Sequence, residues 1–172
     1  MAVLPIIVAP DPRLKIVSQL VAAVDDDVRR LMDDMLDSMY AARGIGLAAA
    51  QVGVTRRVIV LDMARHDDEP APMRLANPEI IAADSELITL QEGCLSLPEH
   101  WADVTRPQAV TVRYVDYENT VRTLDAEGML ATCIQHEMDH LDGVLFVDHI
   151  SSLKRSIILR KLTKTKKLEE IS

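Results

Sequence analysis

Aromatic side chains are scarce in this sequence: one Trp, three Tyr and one Phe, 3% of 172 residues. A core of stacked rings is excluded, so Ile, Leu, Val and the eight Met must fill it, Met acting as the adaptable filler. Long apolar runs are also missing. No stretch approaches the roughly 20 apolar residues of a membrane span. The short run over residues 1–9 is broken by Pro5 and preceded by no basic residue, the wrong pattern for a secretory leader. A cytoplasmic protein without membrane contact is expected. There are only two cysteines, Cys94 and Cys133, too few for a disulfide framework, and a thiolate ligand is the better use for one of them. Repeats and low-complexity segments are absent.

What is present suits one domain with a substantial core, at 48% hydrophobic over 172 residues. The net charge of -8 argues against a general nucleic-acid binder, and no DNA partner is expected. That figure hides an asymmetry. Residues 154–172 hold seven Lys or Arg against Glu169 and Glu170, a net of +5, so residues 1–153 carry -13.

Pro10-Asp11-Pro12 predicts a turn. From Asp25 onward Val28, Leu31, Met32, Met35, Leu36 and Met39 recur at helical spacing, and Asp25-Asp26-Asp27 supply a cap and negative charge at the positive end. Residues 44–51 read as a tight loop with a small-residue surface. Gly44 and Gly46 let backbone run close to a ligand, but no strand precedes them and no third glycine follows at the dinucleotide spacing. Residues 58–61 read as a buried strand, and residues 64–72, with a solvated His66, as a loop. Short strands are expected at 75–78 and 87–90. Residues 110–117 alternate, and Asn119 turns them into a partner strand at 121–124. Helical spacing resumes over about 125–141, with Leu130, Cys133, Ile134 and Leu141 inward. A last helix at about 152–168 puts Leu153, Ile157, Ile158 and Leu162 on one side. This order predicts an α+β fold, a single domain over 1–172 with short, mostly antiparallel strands around a central helix.

That central helix carries Gln135-His136-Glu137-Met138-Asp139-His140, an H-E-x-x-H motif. Two His four residues apart share a helix face and can hold one metal, with Glu137 beside it as general base. By chance the motif occurs on the order of 0.01 times per chain of this composition. A catalytic site of this kind uses three protein ligands and one open position. Gly143 stands where metzincins have their glycine, but their third His is replaced by Phe146. Only Glu169 and Glu170 remain as downstream carboxylates, in a solvated end, and His149 follows the helix in a loop. Cys94 is the better candidate, because Gly93 and Pro98 mark a bend that can present its thiol.

Three motifs together, residues 44–51 (GIGLAAAQ), 92–98 (EGCLSLP) and 135–143 (QHEMDHLDG), resemble peptide deformylases in order and spacing, and the likeness extends over about residues 11–168. The resemblance implies that Cys94, His136 and His140 bind a divalent metal, most often Fe²⁺, with Zn²⁺, Ni²⁺ or Co²⁺ as substitutes. It gives Glu137 the base role and assigns the oxyanion to the Gln51 amide and the Leu95 backbone N–H. Gly44, Ile45, Gly46, Thr132 and Cys133 would line the substrate, and Arg106 would pair with Glu92 behind the ligands. The implied reaction, carried out by a monomer, removes the formyl group from the formyl-methionine of nascent peptides and releases formate. Two positions depart from the pattern: His100-Trp101 stands where some members have Arg, and Thr132 where an apolar residue is frequent. The basic last helix fits either a solvated face or, by resemblance, a contact with the ribosome, whose RNA is polyanionic.

Overall fold

The computed structural model describes residues 2–65 and 67–171, so the reading of His66 lies outside the described residues. A 3-10 turn at Pro12–Lys15 precedes helix α1 (Asp26–Ala41), and seven strands follow: β1 (Gly46–Ala48), β2 (Val58–Asp62), β3 (Pro72–Ala83), β4 (Leu87–Cys94), β5 (Leu97–Pro107), β6 (Ala109–Val115) and β7 (Val121–Glu127). Helices α2 (Gly128–Leu141) and α3 (Ser152–Ile171) complete the chain. Five strands form one antiparallel sheet in the order β1-β2-β3-β6-β7, while β4 and β5 pair as a separate hairpin. This is the expected α+β class. No helix of the described residues is long and apolar enough to cross a membrane.

Strand β2 is buried on both faces of the sheet. Asp25 caps α1 by accepting the Val28 N–H at 2.9 Å. Met32, Met35, Leu36 and Met39 then pack on Val58 and Val60, while Ile59 and Leu61 turn to the other face, under Ala131, Ile134 and Leu141 of α2. The uninterrupted apolar run of β2 is thus explained by one helix on each side. A third cluster joins Ile7 and Leu14 to Leu97, Phe146, Ile158 and Leu162, seating α3 against the hairpin.

Four sequence expectations change. The helix expected from residue 125 begins at Gly128, since β7 continues to Glu127 and Gly128 adopts φ +60°, a conformation that interrupts both patterns and suits glycine. Residues 44–51 are more than a loop: residues 46–48 pair with β2, and Ala49–Val52 form a 3-10 turn. Strand β5 shows no hydrophobic alternation in the sequence because its burial alternates while its chemistry does not: the covered positions include His100 and Arg106, whereas Trp101 is exposed. The seated face of α3 is Ile158 and Leu162, while Leu153 is 70% exposed and Ile157 is also outside.

The last correction is testable by urea unfolding. Leu162→Ala is expected to cost about 2–4 kcal/mol, as buried Leu truncations do. Leu153→Ala should cost less than about 0.5 kcal/mol, in the range of exposed surface changes.

Candidate active site

Helix α2 is enclosed, with residues 131–137 all buried. Its apolar residues face the sheet, and the four-residue spacing sets His136 and His140 side by side, ring centroids 5.1 Å apart and planes at 71°. Cys94 meets them from the end of β4. There the hairpin slips out of register: Gly93 pairs with Trp101, but Cys94 with Leu97. Cys94 Sγ lies 3.3 Å from His140 Nε2, and one donor atom from each of Cys94, His136 and His140 lies within 4.8 Å of the others. A thiolate with two imidazoles suits a borderline divalent ion, and three protein ligands leave a position open. The surroundings fit such an ion. Buried Glu137 Oε1 and His140 Nδ1 have no hydrogen-bond partner among the described residues, although buried polar atoms are rarely left bare.

His136 is oriented from behind. Its Nδ1 lies 2.9 Å from Glu92 Oε1, and since an ionised carboxylate only accepts, Nδ1 carries a proton, which leaves Nε2 as the ring atom that can ligate. Arg106 in turn grips Glu92 with Nε at 2.7 Å and Nη2 at 3.0 Å. Burial alone would raise the Glu92 pKa, but the hydrogen bonds from His136 and Arg106 override it and hold the carboxyl down at about 2. Gln135 Nε2 donates to the Pro107 carbonyl at 3.0 Å, tying the end of β5 to α2.

Glu137 sits in the opposite environment. Burial pushes its pKa up to about 7, an effect that the nearby His136 charge only partly offsets. A Cβ on Gly46 would collide with Glu137 Oε2, so only glycine lets β1 approach this closely. Gln51 is aimed by its own amide: Oε1 accepts the Ala48 N–H at 2.9 Å, which turns Nε2 toward Ser96 Oγ at 3.0 Å and Cys94 Sγ at 3.5 Å. Burial drives the Cys133 thiol up to about 12, which leaves it an inert packing group.

Cys94, His136, Glu137, Gln51 and Glu92 border one cavity of about 610 Å³. Its walls include Gly44, Ile45 and Gly46 on one side, Thr132 and Cys133 on another, and Leu95 in the hairpin turn. His140 does not line it and stands behind Cys94 and His136. Among the candidates for the third ligand, His149 is drawn elsewhere, hydrogen-bonded to Asp139 at 2.8 Å, and Glu169 and Glu170 are exposed in the last turn of α3. Sequence reasoning missed Met129 and Arg43 at the rim, and it left His100 and Trp101 undecided, whereas both line the cavity. Trp101 is 60% exposed and its indole lies over Gly93, where a Cβ would come within 2.5 Å of Nε1. The cross-strand pairing of 93 with 101 was the only signal available, and it required recognising β5.

Comparison with known proteins identifies the family and the fold. A family model described as polypeptide deformylase matches residues 3–156. The chain is 56% identical over 168 residues to the peptide deformylase of Methylocella silvestris, covering 96% of this chain and 86% of that one. It is 51% identical to that of Agrobacterium fabrum, covering 95% and 96%. The crystal structure of peptide deformylase from Ehrlichia chaffeensis superposes with a TM-score of 0.92 at 38% identity, covering 98% and 99%. The same enzyme in complex with actinonin gives 0.91 at 40% identity, covering 96% and 98%.

The two cysteines should separate on mutation. Cys94→Ser replaces a soft thiolate by a poor hydroxyl ligand and should lower metal content after dialysis well below wild type, by elemental analysis. Cys133→Ser should leave it at the wild-type level.

Proposed function

The chain belongs to the polypeptide deformylase family, and from that membership we propose how its cavity works. It is a metallohydrolase that removes the N-formyl group from the formyl-methionine of newly made polypeptides and releases formate. The observation that carries the mechanism is the bare, buried Oε1 of Glu137 beside the Cys94, His136 and His140 donors.

Cys94, His136 and His140 would hold a divalent ion, which when bound supplies Lewis acidity toward water and the formyl carbonyl. The peptide lies along β1, an edge strand of the sheet, with the methionine side chain between Ile45, Thr132 and Cys133. As water attacks the formyl carbon, Glu137 accepts its proton, a task suited to a carboxylate whose burial brings its pKa near neutrality. The carbonyl oxygen takes the electron pair and is met by donors from Gln51 Nε2 and the Leu95 backbone N–H. Collapse breaks the C–N bond, and Glu137 returns the proton to the departing amine. Formate and a free N-terminus leave. Glu92 and Arg106 hold His136 in the orientation this requires. Fe²⁺ is the proposed native ion, although the donor set accepts Zn²⁺, Ni²⁺ or Co²⁺ as well. The proposed form is a cytoplasmic monomer acting as a single catalytic domain.

Glu137→Gln keeps the shape but loses the base. It should retain full metal content while formate release from a formyl-Met peptide falls about 10²–10⁴-fold. Full metal with wild-type turnover would remove Glu137 from the role.

The proposed second partner is the ribosome, through α3. Residues 154–167 contain no acidic residue, and Lys154, Arg160, Lys161, Lys164 and Lys167 are exposed while Ile158 and Leu162 seat the helix. Truncation before Leu162 would remove a core residue, so substitution is the cleaner probe. Changing those five cations to Gln should leave hydrolysis of short formyl peptides unchanged but abolish low-salt co-sedimentation with ribosomes, which for the wild type should fade steeply as salt rises. Equal pelleting across the salt series would limit α3 to the fold.

A further inference from the structure

One imidazole outside the donor set is connected to it without touching it. His149 ends the 3-10 turn Phe146–His149, and its Nε2 donates to Asp139 Oδ2 at 2.8 Å. The same oxygen accepts Arg106 Nη1 at 2.8 Å. Arg106 grips both oxygens of Glu92, and Glu92 Oε1 accepts the Nδ1–H of His136. An unbroken hydrogen-bonded path therefore runs from a buried imidazole at the donor set to one whose side chain is 37% exposed.

We propose that His149 is a positioning residue of the metal centre, holding Asp139 on Arg106 so that Arg106 keeps Glu92, and through it His136, in one orientation. The bidentate grip on Glu92 uses two arms of the guanidinium and leaves the Arg–Glu unit free to rock; the Asp139 anchor on Nη1 removes that freedom. Asp139 needs help to serve. Its side chain is 24% exposed, so water competes for the carboxylate, and two donors converging on one oxygen hold it inward. The turn that carries His149 is itself anchored. Phe146 stacks on the His136 ring with centroids 6.2 Å apart and planes at 25°, and Asp148 accepts the Leu145 N–H at 2.9 Å and pairs with Lys15 and Arg155. The same turn thus braces His136 twice, by ring contact and through the hydrogen-bonded path.

The inference rests on His136 being a ligand, and the test separates the two claims. The full chain is loaded with Co²⁺, and release to excess chelator is followed by loss of visible absorption. His149→Ala should release cobalt about 3- to 10-fold faster, below the 10–100-fold effect of losing a direct outer partner. Its visible bands should shift, with the unfolding temperature of the metal-free protein unchanged. His149→Gln, whose amide N–H replaces the Nε2 donor, should restore both rate and spectrum. In an Asp139→Ala background His149→Ala should add nothing, because the effect passes through Asp139. Wild-type release rates in His149→Ala, an undiminished effect in the Asp139→Ala background, or a fall in metal-free stability that tracks release would each overturn the inference while leaving the ligand assignment intact. A wild-type cobalt protein with no thiolate charge-transfer band would overturn both.

Discussion

A carboxylate and a guanidinium sit together largely out of water, Glu92 6% and Arg106 5% exposed, and the site is built around that pair. Burying two charges is costly, and their attraction offsets the cost only when the geometry is good and the remaining donors and acceptors are satisfied. Here they are: two bonds run between the pair, a third from Arg106 to Asp139 and a fourth from His136 to Glu92. Breaking a pair of this kind from one side typically costs about 3–5 kcal/mol, so the arrangement is strongly held in one state. That state puts the proton on Nδ1 of His136 and leaves Nε2 available to the site.

The pair also explains how distant segments of sequence are brought together. Glu92 and Cys94 lie on β4, Arg106 on β5, and His136, Glu137 and Asp139 on α2, so the ion pair ties the hairpin to the helix at the point where the thiol must meet the imidazoles. From the other side β1 comes close enough to touch Glu137 because residue 46 has no side chain. Glu92 and Glu137, two carboxylates on opposite sides of the same donor set, are thereby driven apart. The Glu92 carboxyl is held down at about 2 and the Glu137 carboxyl is pushed up to about 7 by burial, the separation that the proposed base role of Glu137 uses.

Much of this was legible in the sequence, and the exceptions have physical causes. The motif helix and α1 announce themselves because one face of each is continuously apolar and a cap or a ligand pair lies at helical spacing. Strand β2 is legible because it is buried on both sides. Strand β1 is not, since the three residues Gly46-Leu47-Ala48 carry almost no β signal and pair because β2 offers an edge. Strand β5 hides for another reason: its covered positions include His100 and Arg106 while Trp101 is exposed, so hydrophobicity does not follow burial, and without this strand the placement of Trp101 over Gly93 could not be foreseen. The link from Arg106 to Asp139 joins residues 33 positions apart and has no local pattern at all. In α3 the apolar spacing marks a helix but not its seated face: only Ile158 and Leu162 of the four apolar positions are buried, and that choice depends on where Phe146 and Leu97 stand.

The central claim is that one sulfur from the hairpin and two nitrogens from α2 converge on a single ion. X-ray absorption at the metal edge of the loaded full-length protein measures this directly. The account predicts one sulfur and two imidazole nitrogens among the nearest neighbours, with the sulfur contribution lost in Cys94→Ser and kept in Cys133→Ser. A spectrum with only oxygen and nitrogen neighbours in the wild-type protein would contradict it.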